Sequence, residues 1–173
     1  MKTMKWISIL FVFISPLLVM AGDVPASTDA AKNFVQDFYD WYVPLSAKSD
    51  GTQPDMVALN QKGQSFDHEL GRALRADLAR QARTPGEIVG IDFDPFLNAQ
   101  DLTGQYVAGA VHPIHGRFRV DVWSRDVANG PDKVVVIAEV VRRHGTWQFT
   151  NFYYPKNGNL KSILRAQKND LGR

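Results

Sequence analysis

The chain has 173 residues, with 20 Lys and Arg against 18 Asp and Glu and no cysteine. That length suits one domain with a substantial core. The missing cysteines exclude disulfides, cysteine nucleophiles, thiolate metal sites and a lipoprotein anchor. No basic cluster with interleaved aromatics marks a nucleic-acid binder.

Residues 1–21 read as a secretory signal. Lys2 and Lys5 form its charged start, Trp6 to Met20 its apolar run, and Val19-Met20-Ala21 its cleavage site. The run, roughly 15 residues with Pro16 inside it, falls short of the about 20 needed to span a bilayer. The expectation is export to the periplasm, cleavage after Ala21, and one domain over 22–173. A membrane contact would come only through an uncleaved signal. Without Lys2 and Lys5 the basic and acidic residues balance, but unevenly along the chain. Residues 22–101 carry 13 acidic and 7 basic residues, and residues 102–173 carry 5 acidic and 11 basic.

Phe34 to Leu45 predicts the central helix. At 100° per residue, Phe34, Val35, Phe38, Tyr39, Trp41, Tyr42 and Leu45 share a stripe roughly 160° wide, with Gln36, Asp37 and Asp40 opposite. Thr28 is the predicted cap and Pro44 the predicted stop. Pro54 opens a short helix through Leu59. Ser65 is then read as the cap of a helix over Phe66 to Arg83, with Phe66, Leu70, Leu74, Leu78 and Ala82 on its apolar side. Asp77 lies beside that stripe and needs a partner or water. Ile88 to Phe93 reads as a short strand, broken by Asp94-Pro95.

From Gln105 the period changes to two. Gln105 to Val111 is a strand, and His112 to Gly116 a turn. Arg117 to Arg125 alternates, with Phe118, Val120 and Val122 inward and Arg117, Arg119, Asp121 and Trp123 outward. A loop holding Asn129-Gly130-Pro131 leads to the apolar strand Lys133 to Arg143. His144-Gly145 is a hairpin turn, Thr146 to Tyr154 the last strand, and Leu160 to Lys168 a terminal helix. Helices followed by an antiparallel meander predict an α+β fold, a curved sheet of about four strands wrapped on the aromatic helix.

Four ordered stretches carry a resemblance: the helix FYDWYVP, the segment DFDPFLNAQD, the strand end WQFTNFYYP and the final NLKSIL. Together they resemble a family of bacterial envelope proteins of unknown function, DUF 3828, along nearly the whole mature chain. The resemblance implies a cystatin-like or nuclear-transport-factor-2-like fold. It supplies no catalytic residues, and this chain lacks the cysteine of the family's lipoprotein members.

Asp92, Asp94 and Asp101 fall within ten positions, but no glycine or terminal glutamate completes a calcium loop, so turn formation around Pro95 is the expected role. His112 and His115 sit in the predicted turn without a third ligand. No metal or cofactor is expected, and neither a nucleophile elbow nor a phosphate loop occurs. The Arg117, Arg119, Asp121 and Trp123 row, with Arg142 and Arg143 at the neighbouring hairpin, suits a partner-binding surface or a plain solvated face. Three functional readings stay open. The first is a non-catalytic periplasmic protein that binds, and in the manner of an immunity protein inhibits, another envelope protein. The second is a small-ligand carrier or acid–base enzyme with a pocket between the first helix and the sheet, using Tyr39 or Asp77. The third is a structural dimer.

Overall fold

The computed structural model describes residues 27–48, 50–84, 86, 89–100, 104–125 and 132–170, the side chains of 169 and 170 excepted. The segment read as a signal, Asp101 and residues 126–131, read as a loop, lie outside the described residues. Among the described residues, four α-helices, α1 (Thr28–Ser46), α2 (Pro54–Gln61), α3 (His68–Gln81) and α4 (Leu160–Asp170), pack with five strands, β1 (Gln105–Ile114), β2 (Arg117–Arg125), β3 (Lys133–Arg143), β4 (Thr146–Tyr154) and β5 (Gly158–Asn159). The strands form one antiparallel sheet in chain order. The α+β class and the helix-on-sheet assembly are as the sequence predicts. The sheet gains a fifth strand of two residues, too short for a period-two pattern to reveal.

The α1 helix is held on the sheet by rings. Phe38 touches Tyr39, Trp41, Tyr42, Phe66, Phe96 and Phe149, with ring centroids 4.8 to 6.1 Å apart. Such edge and offset contacts add to the area that aromatics bury. From the sheet, Val120, Val122, Val136, Ala138, Val140, Phe149 and Phe152 face this layer and are fully buried. Each of the three long strand pairings carries one register shift, between Ala108 and Val111, Val122 and Trp123, and Glu139 and Val140. Bulges bend and twist a sheet, and here they sit on the strands that curve over α1.

Several boundaries differ from the sequence reading. The cap of α1 is Ser27, whose Oγ accepts from Ala30 N at 3.1 Å; Thr28 is already helical. Pro44 lies within the last turn, where little ladder remains to lose, and the helix runs on to Ser46. The cap of α3 is Asp67, not Ser65, and its Oδ1 accepts from Leu70 N at 2.7 Å. Ser65 instead closes a 3-10 turn. Phe66 is extended, bridges Phe149 and enters the core, and Asp67 N donates to Phe149 O at 2.8 Å. A long-range backbone contact thus overrides a local helix signal.

Residues 89–93 form no strand. They are strapped to α3: Ile91 N donates to Asp77 Oδ2 at 3.1 Å and Gln81 Nε2 to Ile91 O at 3.3 Å. The predicted turn at His112 is shorter than expected, because His112 to Ile114 continue β1. Only His115 and Gly116 turn, with φ of 44° and 76°. His144 and Gly145 repeat that geometry at 49° and 79°. Two positive φ values define the type I′ turn that matches strand twist.

Candidate partner-binding face

The sheet has a second face, turned away from the helices. Register places its residues in rows. His112, Arg119, Glu139 and Asn151 are neighbours across four strands, as are Asp121, Ile137, Tyr153 and Asn159 one row on, and Val107, Trp123 and Val134 beyond that. Arg117 and Arg143 extend the face by strand alternation.

Glu139 is the centre of this face. Its side chain is 5% exposed, under arginines that are 45% (Arg117) and 34% (Arg119) exposed. The carboxylate accepts from Arg117 Nη1 at 2.7 Å, Thr150 Oγ1 at 2.8 Å, Tyr153 Oη at 3.1 Å and Arg119 Nε at 3.2 Å. Burial by itself raises its pKa. The hydrogen bonds from Arg117, Thr150, Tyr153 and Arg119 outweigh that and hold it below the usual glutamate range. The bond to Glu139 likewise raises the Arg117 pKa. Arg119 also donates from Nη2 to Tyr153 Oη at 2.8 Å, and its guanidinium carbon lies 4.1 Å from the Tyr153 ring centre. The result is an ionised, closed network that fixes two arginines and a tyrosine on an open surface.

Asp121 lies 3.2 Å from His112 Nε2 across the β1–β2 pair. Trp123, on the outward side of β2, is half-buried. Its indole lies across Gly109, where a Cβ would collide with it, and Met56 is the large apolar side chain counted as exposed among the described residues. Arg143 is exposed on the same face as Arg117. Arg142 is not part of this row: it shares strand parity with Val140 and turns to the helix side, and its Nε donates to Gly145 O at 3.2 Å.

The pocket residues fare differently. Tyr39 is fully buried and donates to Phe96 O at 2.7 Å. Burial, then the charge of Asp94, pushes its pKa up. The centre of the space between α1 and the sheet, the place of the alternative pocket, is filled by Phe38, Phe66, Phe96, Phe149 and Phe152; at its edge a cleft of about 310 Å³ runs between α1 and β1, with Tyr39, Gln36 and Tyr106 among its lining. Asp77 is buried, but Arg80, Gln81 Nε2 and Ile91 N occupy its oxygens, so it has the arginine partner its position demands. It borders a cleft of about 330 Å³ beside α2, shared with Asp55, Asp92, Asp94 and Tyr42. Asp94 serves the chain locally: Oδ1 accepts from Phe96 N and Leu97 N, and Oδ2 from Tyr42 Oη and Ser46 Oγ. Burial nonetheless leaves its pKa raised. Among the described residues, no three His, Asp or Glu side chains gather as a metal site.

Glu139, Tyr153 and Thr150 escaped the sequence reading. The available signal was Glu139 itself, a carboxylate inside the run Val134 to Val141, in phase with outward Ile137. Pairing it with Arg119 needs the register between β2 and β3, which periodicity does not supply.

No family model matches the chain, and no curated protein matches it. Solved structures do. A chain of the native type VI effector–immunity complex Tae3–Tai3 from Ralstonia pickettii matches with 18% identity and a TM-score of 0.52, over 72% of this chain and 94% of that one. The selenomethionine form of that complex gives 16% identity and 0.49, over 72% and 96%. A protein of unknown function from Bacteroides thetaiotaomicron gives 22% and 0.47, over 72% and 89%. The first likeness establishes a shared fold.

Proposed function

We propose that this chain is a non-catalytic binding protein of the bacterial periplasm, and that it recognises another envelope protein through the open face of its sheet. The observation that carries this is the buried Glu139 network. A protein gains little from burying a carboxylate under two arginines for stability alone. It gains a rigid Arg–Tyr surface, the chemistry enriched at binding hot spots. The fold shared with a chain of an effector–immunity complex supports the finer reading, an immunity protein that blocks an exported toxin or hydrolase. The signal sequence supports the compartment. The resemblance to the DUF 3828 envelope family agrees with both.

The test is affinity capture by the purified exported protein from envelope extract of its own organism, read by mass spectrometry. One stoichiometric envelope protein is expected, lost when Arg119→Ala and Trp123→Ala are combined without a change in fold by circular dichroism. If that partner is a toxin, co-export of the wild-type chain restores growth and the double variant does not. A partner retained by the folded double variant places recognition elsewhere. A clean column overturns the reading.

A further inference from the structure

The two arginines are held, but their donors are not used up. Arg117 commits Nη1 to Glu139, and Arg119 commits Nε and Nη2 to Glu139 and Tyr153. Each guanidinium has further N–H donors. The Tyr153 ring covers one flat side of Arg119, so what Arg119 offers to solvent is donor edge more than plane. Arg143 adds a third exposed cation at the same end of the face. The acids here are engaged, Glu139 beneath the arginines and Asp121 against His112. One row on, Ile137 stands beside Asp121, and the row beyond is apolar, with Val134 next to Trp123, whose indole leans over Gly109. A cationic fork thus stands next to an apolar shelf, and the fork is ordered before anything binds.

We propose, resting on the reading of this face as the partner surface, that it recognises a peptide segment bearing a carboxylate side chain next to an apolar one. The carboxylate bridges Arg117 and Arg119, and the apolar side chain lies on Trp123 and Ile137. A guanidinium edge matches a carboxylate in two parallel hydrogen bonds. Because Glu139 and Tyr153 already hold the arginines, little side-chain entropy is lost when the partner docks. A lysine or arginine brought to the same place meets like charge. Glu139 is a positioning residue, acting through the arginines.

A random peptide library displayed on phage, selected on the purified exported protein, tests this directly. Selected peptides are expected to carry Asp or Glu beside an aromatic or branched apolar residue. Their affinity, measured by fluorescence titration, should fall about tenfold or more in the Arg117→Gln, Arg119→Gln protein and should weaken as salt rises. Arg119→Lys, which keeps the charge over Glu139 and so the fold, should show a loss from the missing fork alone. Peptides without an acidic residue, or no enrichment, overturn the inference. Binding that is indifferent to the arginines but lost in Trp123→Ala also overturns it, while leaving the face as the binding surface. Binding indifferent to all three residues removes the face reading as well. A concentration-dependent dimer in sedimentation, broken by Arg119→Gln, gives the face to a second copy of this chain and overturns the peptide inference.

Discussion

The two faces of the sheet solve opposite problems with the same strands. The helix side is a ring-packed layer in which Val120, Val122, Val136, Ala138 and Val140 meet Phe38, Phe149 and Phe152. The open side carries Arg117, Arg119, Asp121 and Trp123 on the alternate positions, with Glu139 buried among them. Stability lives on the first face, where apolar area leaves water. The second spends a buried charge on order rather than on area. Two carboxylates, Asp94 and Glu139, show the same contrast. Asp94, on the helix side, is pushed up in pKa and ties the 94–98 turn to Tyr42 and Ser46. Glu139 is held down and ties surface arginines.

The largest effect belongs to the helix side. Phe38 is the ring that the most other rings touch, so Phe38→Ala should cost about 3–5 kcal/mol. Urea unfolding followed by circular dichroism measures it. In the remaining folded fraction, affinity for an open-face ligand should stay within about twofold of wild type, since distant sites act independently. A loss of well under 1 kcal/mol would mean that the α1–sheet layer is not the main core, and the contrast between faces would collapse.

How far the sequence shows this contrast depends on which interactions are local. The strand limits of β2, β3 and β4 and the inward set on β2 follow from alternation alone, because a period of two is a property of neighbours in the chain. The tight turn at His144-Gly145 is equally local. What escaped are pairings set by tertiary contact. Phe66 leaves the helical pattern to bridge Phe149, and the 89–93 segment joins α3 through Asp77 rather than joining the sheet. Arg119 was visible as an outward residue. That Glu139 lies under it was not, since only strand register brings residues 119 and 139 together. Trp123 was visible as outward too, but its cover came from Gly109, a residue whose missing side chain gives no apolar signal.

Next in size is Glu139→Gln. Removing the carboxylate leaves Arg117 and Arg119 without their counter-charge, at a cost of about 2 kcal/mol, below the usual figure for a broken buried pair because both arginines reach solvent. The pH dependence separates it from Asp94. A depressed native pKa contributes stability that is complete above the unfolded value and lost as pH falls through the native one. The gap between wild type and Glu139→Gln should therefore narrow as pH drops below about 4. Asp94 has the reverse sign. Its native form holds a proton where the unfolded chain does not, so its contribution declines as pH rises from the ordinary aspartate value, about 3.9, through the raised native one. Asp94→Asn should remove that decline. Urea midpoints across the acid range read both slopes, and equal slopes for the two variants would erase the distinction between the carboxylates.

The smallest effect lies at the seam between the faces, where β1 is an edge strand. Edges expose unpaired backbone groups and invite pairing with other chains. Here Gln36 of α1 acts as a short stand-in for a neighbouring strand. Its Oε1 accepts from Ala108 N at 2.7 Å, and its Nε2 lies 3.4 Å from Tyr106 O and 2.8 Å from Asp40 Oδ1. The bulge at Ala108 and Pro113 further along blunt the rest of the edge. Gln36→Ala should cost about 1 kcal/mol, the value of a part-buried hydrogen bond whose donor is left open. The more telling readout is local: the Ala108 amide should exchange with deuterium much faster, while amides of β3 keep their protection. If Gln36→Ala also produces a dimer at high concentration, the edge depends on this side chain for its cover. If exchange at Ala108 does not change, the bulge alone protects the edge, and α1 serves only the core face.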